Sequence, residues 1–445
     1  MLAFPDSQVV NHPAPYRVDG EVGRFMFPTF DVRDSKGSIV FRGLDALPIR
    51  TGKQWYQTAG FKEHAILRGV LDRSYRKTNI AFNLQRKQIK GGTPLNTLRD
   101  AAESQGTAIM DAIEDETKRI FVEHHYTIQG NPLEPIQSPA PDTLPEKLPT
   151  FDKDKVQEAL TANTREMTDR GFTQEQIERA SKQEYESPDH TTNIFVDDVC
   201  IKKQKPHRKP TSSPNVEKDS DDELKRVHTT VARIEHNGKG FTLVGSSLLT
   251  ILRFILAFLL RNSLVEHRLL FYVDGQRTLQ DGILGFLRWH RSVSLILDWF
   301  HIVKKVKELL SLAMKGKVYR NENARALLRL LWYGLVDDAI AHLRSINPDD
   351  IKDPKQIEAL VGYFERNRRW IPNYAMRRRL ELCNSSNPAE RTCNLIASQR
   401  QKKNGMSWST DGSQALSALA CVVLNNRTKE WLTECQFSLT FDIAA

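Results

Sequence analysis

The chain of 445 residues has little cysteine, no long apolar run and no internal repeat or low-complexity tract. Its five cysteines (Cys200, Cys383, Cys393, Cys421 and Cys435) are an odd number at wide, irregular spacings. That pattern excludes a disulfide-stapled secreted scaffold and a CxxC zinc module, so reduced intracellular thiols are expected. The most apolar run, 248–260, is 13 residues long and contains Arg253. A membrane span needs about 20 apolar residues, so the run is read as a buried core helix and no membrane association is expected. The opening MLAFPDSQVV has no basic region followed by an apolar one, so no secretory leader is expected.

What is present is a well-charged globular composition. Hydrophobic residues make up 40% and charged residues 27% of the chain, which excludes a largely disordered or collagen-like protein. At roughly 150 residues per domain, the length predicts two or three domains. Lys+Arg number 64 against 55 Asp+Glu, a net charge of +9. A basic chain without a membrane segment points to an acidic partner, with nucleic acid the commonest candidate.

Residues 1–130 form an N-terminal region, an α+β or helical segment of unassigned fold that is a candidate for DNA binding. Within it, 1–90 mixes short β-like runs such as GSIVFRG with Pro, Gly and polar residues, and only 96–120 shows helical spacing. The proline-rich stretch 131–149 is read as a linker, because proline lacks a backbone N–H and restricts its predecessor. Two helices are expected in 150–190, the second started by Thr173. From 191 to 301 the pattern predicts β, β, β, α, β, α, β. The strands are NIFVDDVCIKKQK (193–205), a hairpin closed by NGKG, LLFYVDG (269–275) and SVSLILDWFH (292–301). Residues 302–386 read as helical throughout, and 388–403 as a further helix with Pro388 at its start. Parallel strands joined through helices require an α/β sheet, here with a hairpin at one edge.

The acids fall at informative places. Asp197 and Asp198 interrupt an apolar strand, and Asp274 ends another just before a glycine. Strand C-terminal ends are where open α/β sheets collect their chemistry. A carboxylate buried there is costly unless it is paired or bound to a cation, and Mg²⁺ takes oxygen ligands. Glu390, in the first turn of a late helix, is the best-placed third acid. Each has a plain reading as well: Asp-Gly is a common turn, and a first-turn Glu complements the helix dipole.

Three segments, FVDDVCIKKQK, FYVDGQRTLQDGILGFLRWHRSVSLILDWFHIVKKV and NPAERTCNLIASQRQKKNGMSWSTDGSQAL, carry a family resemblance. They resemble insertion-sequence transposases with a DDE catalytic core, related to the Kra and Lre element groups and more distantly to the Mutator-like superfamily. The resemblance covers about 193–425. It implies an α/β, RNase H-like mixed sheet with helices on both faces, split by an all-helical insertion, with its C-terminal part in 387–445. It also implies a catalytic, metal-binding triad of Asp197, Asp274 and Glu390. Asp198 is the alternative first ligand, since only one of two successive strand residues can face the site. Asp197 is preferred because Asp197, Val199, Ile201 and Lys202 match the family's strand motif. Glu381 is the fallback for the third acid, and Asp298 and His301 in DWFH are supporting candidates.

The bases are concentrated near Glu390. Between 365 and 403 there are ten (Arg366, Arg368, Arg369, Arg377, Arg378, Arg379, Arg391, Arg400, Lys402 and Lys403) against three acids (Glu365, Glu381 and Glu390), which gives +7. Arg368, Arg369, Arg377, Arg378, Arg379, Arg400, Lys402 and Lys403 are expected to contact phosphates, with Lys202, Lys203 and Lys205 as a second group. Trp370 is either a core tryptophan or a base-stacking one.

The resemblance implies two Mg²⁺ ions about 4 Å apart, with Mn²⁺ as a substitute, activating water or a 3′-OH and stabilising the leaving oxygen. The expected partners are double-stranded DNA, as element ends and target, and further copies of the chain. The expected setting is the prokaryotic cytoplasm, at the nucleoid when DNA is bound. Two alternatives remain open: a catalytically inactive or domesticated transposase-derived DNA-binding protein, and an RNase H-like nuclease.

Overall fold

The computed structural model describes residues 6–11, 15–47, 50–51, 55–72, 74–87, 92–133, 150–185, 187–204, 226–402 and 406–441. The linker expected at 131–149 falls almost wholly outside them, as do Lys205 and Lys403. The chain is a mixed α/β protein that divides into two compact units. One gathers residues 1–115, 200–229 and 394–438, the other 116–199, 230–393 and 439–445.

The first unit gives the N-terminal region a fold that the sequence did not disclose. Strands β1 (Gln8–Asn11), β2 (Tyr16–Gly20), β3 (Gly23–Phe27), β4 (Phe30–Arg33), β5 (Ile39–Arg42), β6 (Arg50–Thr51) and β7 (Trp55–Gln57) form two small sheets, ordered β1-β4-β5 and β3-β2-β7-β6. None is longer than five residues, too short for an alternating pattern to repeat. Asp19, buried in β2, is held by Arg24 at 2.8 Å and by the Thr93 hydroxyl at 2.9 Å. Helices Ala59–Leu71 and Tyr75–Gln85 are capped by the side chains of Thr58 and Ser74. Phe61, Ala65 and Phe82 pack with Leu98 and Ala101 of helix Leu95–Glu123. On that helix, Gly106 admits helix Thr410–Leu424 so closely that a Cβ there would lie 2.1 Å from the Ala415 carbonyl oxygen.

The second unit holds the larger sheet. Strands β8 (Thr191–Lys202), β9 (Arg226–His236), β10 (Lys239–Gly245), β11 (Arg268–Val273) and β12 (Val293–Leu297) lie in the order β10-β9-β8-β11-β12. β9 and β10 form the expected hairpin, turned by Asn237 and Gly238 with φ of 47° and 73°. β11 is parallel to both β8 and β12. The apolar run folds as helix Leu248–Arg261, with nine buried residues and Phe258 stacked on Phe241 of β10 at 4.6 Å. Each large apolar side chain buried there contributes about 1.5–3 kcal/mol, which is ample reason for this run to sit inside.

After β12 the chain is helical to residue 379, apart from connections: Trp299–Ala313, Lys317–Trp332, Val336–Arg344, Pro354–Asn367 and Tyr374–Arg379. Ile302, Val306 and Leu310, each four residues apart, face Leu327, Leu331, Leu360 and Phe364, and this core is continuous with Phe195, Tyr272 and Ile296 of the sheet. One expectation is corrected here. The apolar run 292–301 is not strand to its end: β12 stops at Leu297, and Asp298 caps the next helix by accepting the Phe300 N–H. Capping turns the chain where the apolar pattern alone gave no stop. The late helix also differs, being α-helical over Asn387–Cys393 and π-helical over Asn394–Lys402. No helix of the described residues is long and apolar enough to cross a membrane.

Candidate metal centre

Register alone sets three aspartates in a row. Tyr272 pairs with Phe195, and Val273 with Leu297. Carried to the strand ends, the same pairing sets Asp274 opposite Asp197 on one side and Asp298 on the other. The stacked rings of Phe195 and Tyr272, 4.6 Å apart, mark the shared face. Strand alternation separates the doubled acids: Asp198 is exposed and accepts the Thr230 hydroxyl at 2.6 Å, whereas Asp197 is half-buried. Asp274 accepts the Gln276 N–H at 2.8 Å, and the chain turns beside it at Gly275, φ +90°. A side chain at Gly275 would strike the Tyr363 hydroxyl, 2.7 Å from the site of a Cβ. Burial drives the Tyr363 pKa up, with the charges of Asp274 and Asp298 adding to it.

The fourth acid arrives through a chain of internal hydrogen bonds. The Tyr374 hydroxyl donates to the Leu297 carbonyl at 2.6 Å, and the Asn384 amide to the Tyr374 carbonyl at 2.8 Å. Arg377, 7% exposed, donates to the Cys383 carbonyl at 2.8 Å and the Tyr272 hydroxyl at 2.9 Å. This segment delivers Ser386, whose hydroxyl donates to Asp298 Oδ2 at 2.6 Å, and the next turn presents Glu390. Ligand atoms of Asp298, His301 and Glu390 lie within 4.8 Å of one another. Glu381, by contrast, is an exposed turn residue with φ 58° after helix Tyr374–Arg379.

The charges fall into two kinds. Asp298 is fully buried and already satisfied: Oδ1 accepts the Phe300 N–H, and Oδ2 accepts Ser386 and His301 Nδ1, the last at 2.7 Å. It therefore orients the imidazole and leaves His301 Nε2 to face the site. The hydrogen bond to Asp298 raises the His301 pKa against the effect of burial, and Asp274 and Glu390 add to it. Burial pushes Asp197 up, as does the charge of Asp274, while the Cys393 thiol, the Asp198 N–H and His301 oppose that shift. Cys393 is three residues after Glu390, on the same helix face. Carboxylate oxygens with one imidazole suit a hard divalent cation such as Mg²⁺ or Mn²⁺.

The basic residues divide in a way their sequence did not reveal. Arg377 and Arg400, expected to face phosphates, do not: Arg377 is spent on the bonds above. Arg400 is 3% exposed, donates to the Gly69 carbonyl at 2.9 Å and lies over the Tyr75 ring. Arg368 pairs with Asp337 at 2.9 Å, Arg379 pairs with Glu166, and Arg369 lies over the ring of Trp370, which packs against the core. Lys202, Arg378 and Lys402 are exposed and Lys203 partly so. A recess of about 270 Å³ beside Gly275 is lined by Arg277, Arg366 and Arg369.

Sequence reading passed over Ser386, Cys393 and Tyr363. Ser386 and Cys393 had one available signal, their places one turn before and after Glu390; Tyr363 had none. The sequence matches no protein-family model and none of the curated proteins.

Proposed function

We propose that this protein is a metal-dependent DNA transposase of an insertion sequence, built on an RNase H-like core, that cleaves element ends and joins them to target DNA. The observation that carries the reading is the aspartate row of Asp197 within β8 and Asp274 and Asp298 just past β11 and β12, with Glu390 of a late helix grouped beside Asp298 and His301. The order β10-β9-β8-β11-β12 and the helical block between β12 and Glu390 agree with it.

In this reading Asp197, Asp274 and Glu390 hold Mg²⁺ or Mn²⁺. The bound metal would activate water or a 3′-OH and stabilise the leaving oxygen at phosphorus. Asp298 is a positioning residue that fixes His301, and Ser386 fixes Asp298. In the recess beside Gly275, where Arg277 is paired with Asp281, Arg366 and Arg369 offer cations to a phosphate backbone. Double-stranded DNA, further copies of the chain and a nucleoid setting belong to the same proposal.

The test is strand cleavage and joining of DNA carrying the sequences that flank the gene, with Mg²⁺, by the wild type and Asp274→Asn. Products from the wild type and none from the variant are expected. Full activity of Asp274→Asn sinks the assignment. DNA binding without any metal-dependent product identifies a silent DNA-binding derivative instead, and preference for RNA–DNA hybrid identifies a nuclease.

A further inference from the structure

The helical block contains a cleft of about 1050 Å³ that the carboxylate centre does not use. Its floor includes Trp299 and Trp332, partly buried and 4.9 Å apart edge to face. It is lined by Lys307, Arg320, Arg325 and Arg329, and by Arg170, which pairs with Glu166 at 2.8 Å; no carboxylate lines it. Arg329 is occupied in part by the Phe172 ring, 4.5 Å from its guanidinium, and Arg320 meets only the neutral side chain of Asn321. Lys307 and Arg325 are exposed, and no ion pair among the described residues involves either.

We infer that this cleft binds an unpaired stretch of DNA strand, its bases against the tryptophans and its phosphates on Lys307, Arg320 and Arg325. Charge complementarity calls for a polyanion, and the indoles call for a ligand with exposed flat faces. A duplex presents sugar and phosphate outward and keeps its base faces stacked, so it satisfies only the first demand. An unpaired strand satisfies both, through stacking and backbone contacts.

The cleft also lies next to the carboxylates. Trp299 follows Asp298 directly, so their Cα atoms are about 3.8 Å apart. The helix that Asp298 caps carries both His301 and Lys307. This inference deepens the transposase reading and rests on it for the choice of DNA.

The experiment measures binding of a fluorescent oligo-dT of about 15–20 nucleotides in EDTA, where no cleavage occurs, at several salt concentrations. Duplex DNA of equal length, oligo-rU and a mononucleotide serve as competitors. The wild type is expected to prefer oligo-dT over all three. Lys307→Ala/Arg325→Ala is expected to bind at least tenfold more weakly, with a salt slope shallower by about 1.4 for two lost contacts. Trp332→Phe, which keeps an aromatic ring in the core, is expected to weaken binding and leave the salt slope unchanged. Unchanged affinity in the charge variant overturns the inference, as does equal or tighter binding of duplex, oligo-rU or mononucleotide. Because no cleavage is read, loss of catalysis in Asp274→Asn with retained oligo-dT binding separates this cleft from the metal centre. A wild type without cleavage activity but with charge-dependent oligo-dT binding removes the catalytic reading alone.

Discussion

The two ends of the large sheet gather ionisable groups in opposite ways. At one end stand Asp274 and Asp298, just past β11 and β12, and Asp197, within β8 in register with them, with His301 and Glu390 beside Asp298. At the other end stand His190 and His267, just before β8 and β11, and His236 at the end of β9. The His267 ring is 4.8 Å from that of His236 and 5.8 Å from that of His190. Among the described residues only the acid end brings three ligand atoms within 4.8 Å of one another. The difference is one of sign and partner. At the acid end an imidazole sits among carboxylates and its pKa rises. At the histidine end burial and neighbouring imidazoles push His267 down to about 4, so this imidazole is neutral at pH 7. One sheet thus raises the pKa of an imidazole at one end and lowers that of another at the opposite end.

The largest effect should come from breaking the acid end alone. Glu390→Gln is expected to lower metal-dependent strand cleavage by more than the roughly 10–100-fold typical of residues that only orient a ligand. Glu381→Gln is expected to leave the rate within twofold of wild type. Comparable losses in both would show that the grouping of Glu390 with Asp298 and His301 does not decide function.

An intermediate effect should follow from cutting the scaffold behind that end. Arg377→Leu removes one donor from the Cys383 carbonyl and one from the Tyr272 hydroxyl, which keep their own bond to each other at 3.2 Å, and should cost about 1–3 kcal/mol in all. Arg378→Ala, its exposed neighbour, should stay within about 0.5 kcal/mol of wild type. Denaturant unfolding separates the two, and equal midpoints would contradict the internal role of Arg377.

The smallest effect belongs to the histidine end. An unfolded histidine titrates near about 6.5, so below that pH the unfolded chain binds a proton that folded His267 takes up only near 4. The stability this provides is present above about 6.5 and is lost as pH falls toward 4. His267→Gln should therefore lose less stability than wild type between pH 7 and 5 in urea melts. An identical pH dependence would mean that the histidine end does not titrate on unfolding.

Much of the large sheet was legible because its signals are local. The order of strands and helices from 191 to 301, the hairpin turn and the helical block all follow from short periodic runs and Asn-Gly chemistry. Alternation allowed only one of Asp197 and Asp198 to face the site, the family resemblance favoured Asp197, and the structure exposes Asp198 toward Thr230 while Asp197 is half-buried. The small sheets of the first unit were not legible, since strands of two to five residues carry no period. The end of β12 was missed because a capping aspartate interrupts the apolar run without breaking it.

The arginines mark the limit most clearly. A count of +7 over residues 365–403 describes composition, but charge presented to a partner depends on who already holds it. Arg368 meets an acid 31 residues away and Arg379 one 213 residues away, while Arg377 and Arg400 are internal. Lys307 and Arg325, exposed and in no ion pair among the described residues, lay in stretches the sequence did not single out as basic.

The sequence by itself determined the order of strands and helices in the large sheet and its hairpin turn, because alternation and turn chemistry are properties of a few neighbouring residues. Tertiary structure alone decided that Asp298 is bonded to His301 and Ser386, that Glu390 lies beside them, and that Lys307 and Arg325 line a cleft with two tryptophans. Each of those depends on distances between groups far apart in the chain, and no local period encodes a distance.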